Sequence, residues 1–263
     1  VVSHPDYDAL LAGVLADPDA DLPRLVLADW LEETGHPANY ARAEYIRAAI
    51  EFEREPPPEA EREAKCVRIC ELEGMFEDEW GRFDRSGDHG GRVHVERRRG
   101  FVESVSLYDW AARRVFHELS RHPVQYLSVR MGADFDIEYT QRPSLHCVES
   151  VAFMSMFQVS VVNDCLATVD FPRLRHLDLR DSAIDDGHVV RLLQIVHENA
   201  SFNGLQHLEL SNNAITDLAA HAIAASRLPQ TMSRISIAGT RITNAGREVL
   251  FRRFGFEELR PRV

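Results

Sequence analysis

Leu174-Arg175-His176-Leu177-Asp178-Leu179-Arg180-Asp181-Ser182-Ala183-Ile184 is the stretch that decides the architecture. Apolar residues stand at positions one, four and six, with an isoleucine at position eleven. The pattern returns at Leu205, Leu208, Leu210 and Ile215, and again at Met232, Ile235, Ile237 and Ile242. These copies start 31 and then 27 residues apart. Positions four and six are two residues apart, so an extended chain points both side chains to one side. Position one and the later isoleucine add rungs to that same side. A unit this small cannot bury its own apolar face, so neighbouring units must stack and share a core.

Looser copies lie upstream. They are Val102, Val105 and Leu107, then Val124, Leu127 and Val129, then Val148, Val151 and Phe153. From residue 102 onward the six starts are spaced by 22, 24, 26, 31 and 27 residues. The connecting stretches of the last three units read as helices. Residues 185–198 carry Val189, Leu192, Leu193 and Val196 at helical spacing. Thr216 caps a helix through Arg227, and Thr243 caps one with Val249, Leu250 and Phe254. Residues 109–120 predict a helix after the first strand, and residues 131–147 an irregular return. The expected fold class is α/β. An N-terminal helical domain precedes a short solenoid, whose curved parallel sheet is lined outside by helices.

The first hundred residues differ in texture. They hold 23 acidic and 13 basic side chains, against 19 and 17 in the remainder. Pro5 opens a first helix with Leu10, Leu11, Val14 and Leu15 on one face. Asp21 is expected to cap a second, with Leu25, Val26, Ala28, Trp30 and Leu31 as its apolar side and Gly35 at its end. A third runs from about Pro37 to Glu55 and stops at Pro56-Pro57-Pro58. A fourth, residues 59–83, is charge-rich and carries Val67, Ile69, Leu72, Met75, Phe76 and Trp80. Residues 86–91 read as a flexible connection. Residues 92–96 and 101–107 predict a hairpin that caps the first unit. The expected domains are 1–85, helical; 86–100, linker and capping hairpin; and 101–263, about six stacked units.

The second half resembles leucine-rich repeats of the ribonuclease-inhibitor-like type, over about residues 101–254. The asparagine usual at position nine is present only as Asn213; Ser182 and Thr240 take that place in the neighbouring copies, and both can hydrogen-bond backbone. The front half carries Leu10-Leu11-Ala12-Gly13-Val14-Leu15-Ala16-Asp17-Pro18, then Arg24-Leu25-Val26-Leu27-Ala28-Asp29-Trp30-Leu31, then Ala43-Glu44-Tyr45-Ile46-Arg47. This resembles the planctomycete-type repeat-companion domain that precedes such arrays, over about residues 5–55. Arg98-Arg99-Gly100-Phe101-Val102 resembles the join between the two. An added stretch at Asn39-Tyr40-Ala41 departs from the pattern. The family implies a lineage and an arrangement, and no activity.

Composition excludes several classes. The chain has 263 residues, 44% of them hydrophobic, enough for a sizeable core. A net charge of −12 argues against nucleic-acid binding. No apolar run is long enough to span a membrane, and residues 1–5 lack a signal-peptide pattern. The four cysteines, Cys66, Cys70, Cys147 and Cys165, fit free thiols in a reducing cytoplasm.

The sequence carries no recognisable catalytic constellation. Asp17, Asp19 and Asp21 alternate like calcium ligands, but the later positions of such a loop are Leu22 and Ala28, so a turn and helix cap are expected. Cys66 and Cys70 share a helix face with only His89 and His94 as further ligands, so partly buried thiols are expected and no metal. No Gly-x-Ser-x-Gly elbow, Walker motif or dinucleotide fingerprint occurs. The Arg97-Arg98-Arg99 run reads as a solvated turn. No catalytic residue and no cofactor are predicted.

What remains is a surface. Positions three, five and seven of each unit point away from the core. Among them, Tyr108, Tyr126, Arg130, Met154, His176, Asp178, Arg180, His207, Glu209 and Arg234 are the candidate partner-binding residues on the concave side. His176 and His207 take equivalent places in successive units. They read as a polar ladder rather than a metal pair or a pH-sensitive patch, because no third ligand is placed beside them. The expected function is a non-enzymatic, monomeric, cytoplasmic module that binds a protein partner, not nucleic acid or membrane. The alternative is a regulatory or sensory subunit that controls an effector enzyme and is released or cleaved on activation, with the Pro56-rich break and residues 86–91 as the cleavage or hinge sites.

Overall fold

The computed structural model describes residues 4–75, 92–108, 119–130, 144–154 and 159–260. The predicted linker 86–91, most of the helix at 109–120 and most of the return at 131–147 lie outside the described residues, as do Phe76 and Trp80.

Each apolar triplet becomes a strand. β1 (Arg92–Arg98) and β2 (Phe101–Tyr108) form an antiparallel hairpin. Parallel to β2 and to one another follow β3 (Tyr126–Arg130), β4 (Ser150–Met154), β5 (His176–Asp178), β6 (His207–Glu209) and β7 (Arg234–Ser236). The protein is thus α/β, and its described residues form a seven-stranded, mostly parallel sheet whose spatial order is the chain order. Side chains at positions four and six, from Val105 and Leu107 to Ile235 and Ile237, are buried in one continuous core. Between and after the strands run α5 (Val159–Thr168), α6 (Asp186–Glu198), α7 (Asp217–Ala225) and α8 (Asn244–Phe254). Their buried residues, such as Val189, Leu192, Ile223 and Leu250, join the same core.

The helix starts follow the sequence. Thr216 and Thr243 cap α7 and α8 through their side-chain oxygens, and Asp185 caps α6 in a reciprocal box with His188. A tie between units repeats as well. Asp186 accepts from the Thr216 backbone N–H at 2.8 Å and its hydroxyl at 2.7 Å. Asp217 accepts from the same two groups of Thr243, at the same two distances of 2.8 and 2.7 Å. The position-nine residues hold the turns after the strands. Ser182 donates to the Phe153 carbonyl at 2.6 Å, and Thr240 to that of Ile237 at 2.8 Å.

Among the described residues, four helices form the front: α1 (Pro5–Ala16), α2 (Asp21–Glu33), α3 (Pro37–Arg54) and α4 (Glu59–Met75). Their core gathers Leu11, Val14, Leu27, Ala28, Leu31, Ile46 and Ile50. Two expectations for α2 are corrected. Val26 is exposed and Leu27 buried, because the inward residues Arg24, Leu27, Ala28 and Leu31 keep helical spacing from residue 24. Asp21 does not cap: the N-cap is Ala20, and the Asp21 carboxylate accepts from Arg54 Nε at 2.6 Å instead.

The arginine run is also corrected. Arg99 and Gly100 both have positive φ, 49° and 80°, as a two-residue hairpin turn of this hand requires. The turn is not solvated. A Cβ on Gly100 would stand 2.7 Å from the Ile46 backbone, so the turn packs directly on α3. Phe101 enters the helical core, with the guanidinium groups of Arg42 and Arg24 at 4.9 and 5.5 Å from its ring. Arg97 pairs with Glu73 at 2.5 Å, Arg98 with Glu53, and Arg99 is buried.

Cys66 is half-buried and Cys70 exposed, so the second thiol is more open than expected. Burial pushes Cys147 up to about 11 and Cys165 up to about 12, so both stay protonated at neutral pH. Labelling the native protein with a thiol reagent at pH 7.5 should modify Cys70 first and Cys66 next. Cys147 and Cys165 should react only once the chain unfolds, because the thiolate is the nucleophile. Fast labelling of Cys165 in the native state would contradict this packing.

Candidate functional site

The open side of the sheet gathers the predicted residues into rows. Parallel pairing sets Tyr126, Ser150, His176, His207 and Arg234 side by side on successive strands. Ser128, Ala152, Asp178, Glu209 and Ser236 form a second row, two residues further along. Arg130 and Met154 pair beyond them. Arg180 lies just past β5. Tyr108 is in register with Arg130, and its side chain lies outside the described residues. The hairpin lengthens the rows by two strands: Ser104 and Ser106 of β2 pair with Tyr126 and Ser128, and Glu96 and His94 of β1 pair with Ser104 and Ser106. From the sequence, β1 is expected only as a cap on the first unit. Its alternation of Val93 and Val95 with His94 and Glu96 was the signal that it shares the open face.

His176 and His207 stack, with ring centroids 4.3 Å apart and planes 2° from parallel. The equivalent places of the two histidines in successive units thus become a direct ring stack. Burial lowers the His176 pKa, and His207 and Arg175 push the same way, while Glu149 opposes them. Asp178 is engaged by Arg180, whose Nε lies 2.8 Å from its Oδ2. This bond raises the Arg180 pKa. Burial alone would raise Glu209, but hydrogen bonds from Ser211 and Ser236, with Arg180 nearby, hold it below the usual carboxylate range. Both carboxylates are thus turned to their own partners rather than to the histidines. Among the described residues, no group of three or more His, Cys, Asp or Glu is placed to hold a metal.

The face is framed by a second polar assembly that sequence reading missed. The turn joining α1 to α2 lies along the entry ends of the strands. Its carbonyls each meet a donor. Cys147 Sγ reaches Leu15 O at 3.2 Å, and Arg173 reaches Ala16 O at 2.5 Å. Arg99 reaches Pro18 O at 3.3 Å and Asp19 O at 2.5 Å, and Arg24 reaches Ala20 O at 2.8 Å. Gln125 Nε2 adds a bond of 3.1 Å to the Asp19 carboxylate. At the centre, Glu103 accepts from Arg24 at 2.7 Å and from Arg99 at 3.0 Å. Arg24 is wholly buried and Glu103 is 4% exposed. Burial raises the Glu103 pKa and lowers that of Arg24, and their mutual attraction opposes both shifts. Asp17, Asp19 and Asp21 are therefore part of a junction: the backbone between them accepts, and two of their carboxylates face Gln125 and Arg54.

Beside the junction, His122 is buried near Arg42, Arg97 and Arg121, which keeps it neutral down to about 3. Among the described residues, no helix is long and apolar enough to cross a membrane. Comparison with protein-family models and with curated proteins finds no match to this chain.

Proposed function

We propose that this chain is a non-enzymatic binding protein of leucine-rich-repeat type, which takes a protein partner on the open, concave side of its strand array. The observation that carries the reading is the in-register row Tyr126, Ser150, His176, His207 and Arg234, with helices packed against the opposite side of the sheet. Tyrosine and arginine are frequent anchors of protein interfaces, because each brings a large contact area and directional hydrogen bonding. The face has no buried catalytic pair and no deep apolar pocket in its described part. It combines a standing Tyr126, stacked imidazoles and carboxylates already satisfied within the protein. Such a surface suits another folded or extended polypeptide, with mixed polar and aromatic contacts. The helical part then serves as the cap of one end of the array, as the arginine–glutamate junction supports.

The junction weighs against release of the helical part on activation. Cutting the chain between α4 and β1 leaves the contacts of Arg24, Arg99, Gln125, Cys147 and Arg173 intact.

Affinity capture from a lysate of the source cells tests the reading. The natural chain is compared with a variant carrying Tyr126→Ala, Arg180→Ala and Glu209→Ala. A protein enriched by the natural chain and lost with the variant is the expected result. Capture that ignores the three substitutions removes the face as the binding surface and turns attention to the acidic helical part.

A further inference from the structure

We propose that the open face accepts an arginine side chain of its protein partner, in the slot above Ser150 between the rings of Tyr126 and His176. The inference rests on the face being the binding surface. Tyr126 on β3 and His176 on β5 are in register with Ser150, which lies between them on β4. Neighbouring strands lie about 4.8 Å apart, so the two rings are rooted about 9–10 Å apart. Ser150 is small, so the space above it is a gap one strand wide. One planar group fits such a gap, since stacked rings prefer centroid separations of about 4.5–7 Å and a guanidinium stacks in the same way.

Both walls are available. Tyr126 is 55% exposed. His176 has one ring face covered by His207 in a parallel stack, which leaves its other face toward β4. The stack also holds the imidazole plane in place, so the wall is formed before the partner arrives. Burial and His207 lower the His176 pKa, which favours the neutral ring at pH 7 as a platform for a cation.

The polar groups choose arginine over an aromatic side chain. Glu149 precedes Ser150, is only partly exposed, and lies close enough to His176 to act on its charge. Its contact with Arg175 is long, 3.9 Å. A guanidinium in the slot offers five N–H donors to the Glu149 carboxylate and the Ser150 hydroxyl while its plane stacks. An aromatic ring would stack but leave that carboxylate desolvated without a donor, which is costly. Lysine carries the charge without the plane. The net charge of −12 draws a cationic partner toward the protein.

The test is selection of random peptides on the immobilised full-length chain, followed by affinity measurement. Recovered peptides should share an arginine. Its replacement by citrulline or lysine should weaken binding at least tenfold. Tyr126→Ala should cost a similar factor, Tyr126→Phe should retain most of the affinity, and Glu149→Gln should weaken it several-fold. Peptides without arginine that are nonetheless lost with Arg180→Ala and Glu209→Ala overturn the slot and leave the face standing. Peptides indifferent to every face substitution, or none recovered, overturn both. Circular dichroism of each variant separates loss of binding from loss of fold.

Discussion

Glu103→Ala should destabilise the protein by about 3–5 kcal/mol, the cost usual for removing one partner of a buried ion pair. Glu103 is the shared acceptor of Arg24 and Arg99. Without it, a wholly buried guanidinium at residue 24 keeps its bond to the Ala20 carbonyl and loses its counter-charge. The pair is not itself a large source of stability, since burial opposes ionisation on both sides. What costs energy is leaving one charge behind. Glu103→Gln keeps an acceptor for both arginines and should lose less. Urea unfolding followed by circular dichroism measures the difference. A loss below about 1 kcal/mol for the alanine variant would mean that water reaches Arg24, contrary to its burial. The same junction predicts a coupled unfolding of helices and sheet, because it ties α1 and α2 to the entry of four strands.

Asn213→Ala should cost about 3–5 kcal/mol, because several buried backbone groups lose their partners together, at about 1–3 kcal/mol each before relaxation. Asn213 Oδ1 accepts from the N–H groups of Ser182 at 3.1 Å and Ile184 at 3.0 Å. Its Nδ2 donates to the carbonyls of Leu179 at 2.7 Å, Leu210 at 3.0 Å and Ser211 at 3.2 Å. The side chain therefore joins the turn after β5 to the turn after β6. Asn213→Asp keeps the acceptor and loses the donors, so it places a carboxylate against three carbonyls and should be no milder than alanine. Asn213→Ser should recover part of the loss, as Ser182 and Thr240 bond backbone carbonyls at the equivalent places. Thermal and urea unfolding of the three variants gives the order. Equal stability of Asn213→Ala and the natural chain would show that this bridge is replaced by solvent.

The candidate face was legible because register is a local property. Each triplet fixes which side chains of its strand go inward, and stacking of successive units then sets Tyr126, His176, His207 and Arg234 in one row. The caps at Thr216 and Thr243 were legible for the same reason: a side chain two residues from its donor needs no tertiary information. The repeated ties from Asp186 and Asp217 to the next unit's threonine carried a signal too, in residues separated by the repeat spacing, but their meaning needed the stacked geometry.

Sequence by itself determined the α/β alternation, the order of the strands, the side of each strand that is buried, and the starts of the capped helices α7 and α8. These follow from side-chain periodicity and from capping groups within a few residues of the backbone they satisfy. Only the tertiary structure decided the fate of the charged residues at the junction. Arg24 and Glu103 are 79 residues apart in the chain, and Ala16 and Arg173 are 157 apart. No local pattern distinguishes an arginine that will be buried from one that will be solvated, since the difference lies in which carbonyls and carboxylates the folded chain brings to it. The Arg97-Arg98-Arg99 run looked like a solvated turn for that reason, and Asp21 like a cap. Their roles come from the packing of the hairpin turn on α3 and of the α1–α2 turn on the strand ends, where each buried charge meets its partner.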